Sequence, residues 1–128
     1  LCSRDYLERD VDATLSGGEI KRVEIASVLA RELKAAVFDE PEAGIDLWSF
    51  QSLIRVFEKL HEKTSGSIVI ITHQERILDI ADRIIVLSPR PGRVAAQIPV
   101  NLPFPRNPAD PAFLSIREKV TRAVLGVE

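Results

Sequence analysis

Apolar positions along this chain of 128 residues follow two different rhythms. Over residues 18–33 they repeat as in a helix. Ile25, Val28, Leu29 and Leu33 can share one face, while Lys21, Arg22, Glu24, Arg31 and Glu32 fall mostly elsewhere. Ala35-Ala36-Val37-Phe38 is instead a continuous apolar run closed by Asp39-Glu40-Pro41, the pattern of a strand buried on both faces. Residues 42–46 read as a turn, and Asp46 can cap a helix over about 47–63. Phe50, Leu53, Ile54, Phe57 and Leu60 form the stripe of that helix, and Trp48 reads as a packing residue near its start. Thr64-Ser65-Gly66 ends it. Ser67 to Thr72 is a second buried strand, rich in β-branched residues, and Gln74 to Ala81 a short helix.

Arg83 to Leu87 reads as a third strand, Ser88 to Arg93 as a turn, and Val94 to Val100 as a returning edge strand. Pro99, Pro103, Pro105, Pro108 and Pro111 keep residues 99–111 irregular or extended. Asp110 before Pro111 is a cap and first-turn pair that starts a last helix over about 111–125. Residues 1–14 are polar and mixed in charge, a loop with a short helical turn. Strands alternating with helices predict an α/β fold with a mainly parallel sheet flanked by helices. The expected organisation is one body over 1–98 and a Pro-rich connection with a final helix over 99–128.

Composition narrows the class. Apolar residues make up 45% and charged residues 28%, as in a soluble globular domain. A net charge of −2 provides no basic surface for nucleic acid. One cysteine, Cys2, rules out an internal disulfide framework and fits a reducing, cytoplasmic setting. No run approaches the ~20 apolar residues that span a bilayer, and no signal peptide is visible. The chain opens at Leu1 and has no methionine, which reads as a piece of a longer polypeptide.

Three features stand at element ends, where ligands bind. Leu15-Ser16-Gly17-Gly18-Glu19 runs from a loop into a helix. Ser16 can cap that helix, and Gly17 and Gly18 permit close approach of an anion to the first-turn amides. Asp39 and Glu40 follow a buried strand, and His73 follows the next. The carboxyl ends of strands in open parallel sheets are where ligands sit. Each feature alone is ordinary: a helix start, a solvated acidic loop, a structural histidine.

Taken in order, they resemble the ATP-binding cassette (ABC) ATPases, a P-loop NTPase family. The matching residues are the signature Leu15 to Glu19, the Walker B stretch Ala35 to Pro41, a D-loop-like Ala43-Gly44-Ile45-Asp46, and the switch histidine in Ile71-Thr72-His73. The resemblance covers about residues 12–90. It implies ATP and Mg²⁺ as cofactors, with Asp39 as the metal residue acting through water. It further implies Glu40 as general base and His73 as a contact to the γ-phosphate. Asp46 would lie at a dimer interface. Ser16, Gly17, Gly18 and Glu19 would belong to the loop that binds ATP held by a second ABC ATPase subunit.

The departure is at the front. The family's phosphate loop, G-x-x-x-x-G-K-[S/T], has no match, since none of the six glycines precedes a lysine. The chain therefore reads as a partial domain lacking a central strand. It is expected to be marginally stable, and alone neither to bind ATP tightly nor to hydrolyse it. Two subfamilies are resembled. Residues 42–50 and 73–78 are similar to the soluble ATPase of iron–sulfur cluster assembly. Residues 86–93, the Pro-rich stretch and the Asp110 helix start are similar to ATPase subunits of nitrate, sulfonate and taurine importers. The implied partner is accordingly a membrane permease, with peripheral attachment to the cytoplasmic face of the membrane, or an iron–sulfur scaffold. A nucleic-acid-associated ATPase head is disfavoured by the absence of heptads, a basic stripe and zinc-ligand spacing. A non-enzymatic interaction module remains open.

Overall fold

The computed structural model describes residues 16–31, 33–63 and 66–127. Leu15 and the predicted helical turn within residues 1–14 lie outside them. The chain divides into two compact units, one ending at His73 and the other beginning at Gln74.

The first unit contains helix α1 (Gly17–Leu29), strand β1 (Ala35–Asp39), helix α2 (Leu47–Lys63) and strand β2 (Ser67–Ile71). Helix α1 stops four residues before the predicted end. Ala30 N donates to Ala26 O at 3.0 Å and Arg31 N to Val28 O at 3.1 Å, a tighter last turn. Ile25 is buried as expected, but Leu33 lies beyond the helix and is exposed. Strands β1 and β2 pair in parallel from Ala35 opposite Ser67 to Asp39 opposite Ile71. Gly66 makes their start possible. A Cβ there would stand 2.5 Å from Lys34 O and 2.8 Å from Leu33 O. The backbone passes close enough for Ser67 N to donate to Lys34 O at 3.0 Å.

Helix α2 buries Phe50, Leu53 and Phe57, three members of the predicted stripe. Phe57 meets Phe38 of β1 edge-on, ring centroids 5.0 Å apart. This packing covers one face of the strand pair. The other face corrects the sequence reading of strands buried on both sides: Val37 is 67% exposed, and Val69 and Ile71 are also exposed. Among the described residues, a two-stranded sheet with one helix against it has cover for a single face, whatever its composition favours.

The second unit contains a 3-10 helix (Glu75–Ile80), strands β3 (Arg83–Leu87) and β4 (Val94–Pro99), and helix α3 (Pro111–Leu125). The short helix predicted over 74–81 is thus a tighter 3-10 helix over Glu75–Ile80. Strands β3 and β4 form an antiparallel hairpin with a bulge at Val86/Leu87. Ser88 N donates to Arg93 O at 2.8 Å, and Ser88 Oγ accepts from Arg93 N at 3.1 Å, closing the turn. Helix α3 begins as its sequence predicts. Asp110 accepts from Ala112 N at 2.8 Å, Pro111 follows, and Gly126 ends the helix at φ 66°.

The core of this unit is Ile84, Val86, Val100 and Phe113, with Leu78, Ile98, Ile116 and Val120 packed around it. Phe113 is completely buried. Arg106, from the Pro-rich stretch, is 2% exposed at its side chain. It donates to Leu102 O, Asp79 O, Ala81 O and Val100 O at 2.7–3.3 Å, stands 3.7 Å from Asp82 Oδ1, and lies over the Phe104 ring. Burial lowers its guanidinium from the ordinary arginine value, and Asp82 and Asp79 oppose that shift.

Candidate functional site

The loop before α1 folds as a capping box. Ser16 Oγ accepts from Glu19 N at 3.3 Å, and Ser16 N donates to Glu19 Oε2 at 2.8 Å. Because Ser16 Oγ accepts in this bond, its own proton can point to an external acceptor. Gly17 and Gly18 supply first-turn amides, which an α-helix leaves without internal acceptors, at the positive end of its dipole. Glu19 is committed locally: its carboxylate closes the box.

Asp39 and Glu40 stand at the carboxyl end of β1, both exposed. Glu40 extends the parallel ladder by one rung, its N–H donating to Ile71 O at 2.8 Å. Its φ is 41°, in the left-handed region that non-glycine residues seldom occupy. The chain turns sharply there, and Ala43 N returns to Glu40 O at 3.0 Å. Gly44, at φ 75°, continues the turn where a side chain would be strained.

At the end of β2, His73 Nδ1 lies 3.3 Å from Glu40 Oε1, and both side chains are exposed. Parallel pairing puts the two strand ends side by side, so residues 33 apart in sequence meet. Asp46 is the cap of α2: Oδ1 accepts from Ser49 N at 3.0 Å, and Oδ2 from Ser49 Oγ at 2.7 Å. The structure therefore joins Glu40 to His73 and forms two separate local caps at Ser16 and Asp46. Asp39 lies next to this pair in the chain.

The donor chemistry suits one kind of metal. Among the described residues, no group of three or more His, Cys, Asp or Glu could cage an ion. One or two carboxylates match Mg²⁺ that keeps its waters and shares phosphate oxygens. Asp39 fits that limited role.

One residue escaped the sequence reading. Glu42 is 6% exposed, and its Oε1 accepts a hydrogen bond from Thr72 Oγ1. Only its place beside the acidic pair could have drawn attention to it. Among the described residues, no helix is long and apolar enough to cross a membrane.

Comparison with known proteins bears on this geometry. No protein-family model matches the chain. An uncharacterized ABC transporter ATP-binding protein of Methanocaldococcus jannaschii is 49% identical over 79 residues, 62% of this chain and 31% of that protein. The aliphatic sulfonates import ATP-binding protein SsuB of Bacillus licheniformis is 35% identical over 116 residues, 90% of this chain and 46% of its own length. The aliphatic sulfonates import protein SsuB 1 of Frankia alni is 37% identical over 123 residues, 94% of this chain and 45% of its own. This chain spans less than half of the length of these relatives. A solved structure from work on ATP-driven dimerization of SMC ATPases superposes with a TM-score of 0.55 at 20% identity. It covers 84% of this chain and 63% of that one, and bears out the α/β, P-loop NTPase-like fold. None of these proteins is named for iron–sulfur assembly.

Proposed function

We propose that this chain, related over most of its length to ABC-type ATP-binding proteins, contributes half of a divided ATP-hydrolysing site in an import system. The observation that carries the reading is the meeting of Glu40 and His73 at 3.3 Å, at the carboxyl ends of two parallel strands. An exposed carboxylate there can accept a proton from an attacking water. The imidazole beside it can donate to a phosphate oxygen and holds the carboxylate in place. Asp39 would take Mg²⁺ through water, the ion supplying charge neutralisation at the phosphates.

The α1 start would serve a second subunit. Ser16 Oγ and the amides of Gly17 and Gly18 offer donors to a terminal phosphate held by that partner. Asp46, at the start of α2, would sit at the same interface. The partners are thus a second ATPase subunit and a membrane permease, which would bring the assembly to the cytoplasmic face of the membrane. Sulfonate-type substrates are the class favoured by the named relatives.

The test uses an ATP-hydrolysing assembly that contains this chain. Glu40→Gln keeps the shape and removes the base, so turnover should fall at least about 100-fold. ATP binding should survive. Undiminished hydrolysis would show that Glu40 is not the base. Measurable ATPase activity from the isolated 128-residue chain would overturn the divided site itself.

A further inference from the structure

The parallel ladder ends where the candidate chemistry begins. Beyond the Glu40 N to Ile71 O rung, the strands part into the turn over 41–44 and the segment over 72–74. Side-chain bonds cross the gap. One is Glu40 with His73, which is exposed. Another is Thr72 Oγ1 donating to Glu42 Oε1, which is sheltered.

Glu42 is held on a rigid base. Pro41 before it is fully buried, and Ile45 N donates to Glu42 O at 3.1 Å. Its second oxygen, Oε2, is buried with no hydrogen-bond partner among the described residues. Thr72 thus satisfies one of the two carboxyl oxygens. Removing the hydroxyl leaves two buried acceptors unmet, a cost that favours moving the turn and the 72–73 segment together. Glu42 and Thr72 each adjoin a segment carrying one member of the exposed pair. Any shift between them changes where the His73 ring stands against Glu40.

We propose that Glu42 is a positioning residue, which through Thr72 sets the register between His73 and Glu40. Its catalytic meaning rests on the function proposed above, but the geometric claim does not. The buried bond keeps the pair aligned while exposed Glu40 and His73 remain available to a ligand.

The test is a double-substitution cycle read by NMR on the His73 ring in the 128-residue chain. His61 is the only other histidine and serves as the internal reference. Glu40→Gln should shift the His73 ring signals in the wild-type background. In Thr72→Val, which keeps the shape and removes the donor, that response should fall by at least half. Thr72→Ser, which keeps the hydroxyl, should restore it. An equal response in the Val background overturns the proposal. Should Thr72→Val fail to fold, Glu42→Leu poses the same question from the acceptor side.

In an ATP-hydrolysing assembly, Thr72→Val should lower kcat about tenfold with KM for ATP within about twofold. A purely structural bond would lower Tm and leave the kcat of the folded enzyme unchanged. Absence of turnover in the wild-type assembly would defeat the functional reading alone, and the NMR cycle would still decide the positioning role.

Discussion

Two regions of this molecule use short strands for different ends. In the hairpin of β3 and β4, Ile84 and Val86 turn into a core that Phe113 fills, and Arg106 ties surrounding carbonyls together. In the parallel pair of β1 and β2, Phe38 packs on Phe57, but the strands run out into exposed Asp39, Glu40 and His73. One region places its polar investment inside, on backbone acceptors. The other places it at strand ends, facing solvent. Groups that receive a ligand must be reachable, so their order has to come from neighbours: a ladder rung, a buried side-chain bond, a helix cap. Both strand pairs still present an apolar face, with Val37 and Val69 on one and Ile85 and Leu87 on the other.

The largest expected effect lies in the second region. Phe113→Ala empties a completely buried site and should cost about 3–5 kcal/mol. Denaturant unfolding gives the magnitude, and hydrogen exchange gives the location. Protection should be lost chiefly in β3, β4 and α3. Equal loss in β1 and β2 would break the contrast between the two regions.

Next comes a backbone effect in the first region. Gly66→Ala drives a Cβ against the carbonyls of Lys34 and Leu33, which cannot withdraw as a side chain can. A cost of about 1–3 kcal/mol follows, with weakened exchange protection in β1 and β2. Gly92→Ala is the control, because a Cβ there meets nothing within 4 Å among the described residues. It should change stability by less than about 0.5 kcal/mol. Similar melting temperatures for the two variants would mean that the close approach does not hold the parallel pair.

The local grammar of the chain was readable in advance. Asp110-Pro111 starts α3, and Asp46 caps α2, because these signals act over a few residues. The exposure of one face of β1 was not readable, since a run such as Ala35 to Phe38 states what the strand tolerates and not what covers it. The candidate site's geometry was legible in part. Motif order pointed to Glu40 and His73, and parallel pairing joins them. Glu42 and Arg106 were not legible. Each depends on partners far away in sequence, 30 residues for Glu42 and up to 27 for Arg106, that only the fold assembles.

The smallest effect separates two roles that one residue combines. Ser16→Ala removes the acceptor of the Glu19 amide and should cost about 1 kcal/mol, read as lost helicity at the α1 start. Ser16→Asp restores an acceptor at the cap, because a carboxylate suits that position and the helix dipole. It also sets a negative charge where a partner's phosphate is proposed to bind. Circular dichroism should therefore rank the aspartate variant beside wild type and above alanine. ATP-dependent association in the full assembly should instead be lost in aspartate and only weakened in alanine. If the two measurements rank the variants alike, the loop is a helix cap and nothing more, and the contrast between a ligand-facing region and a scaffold region loses its first member.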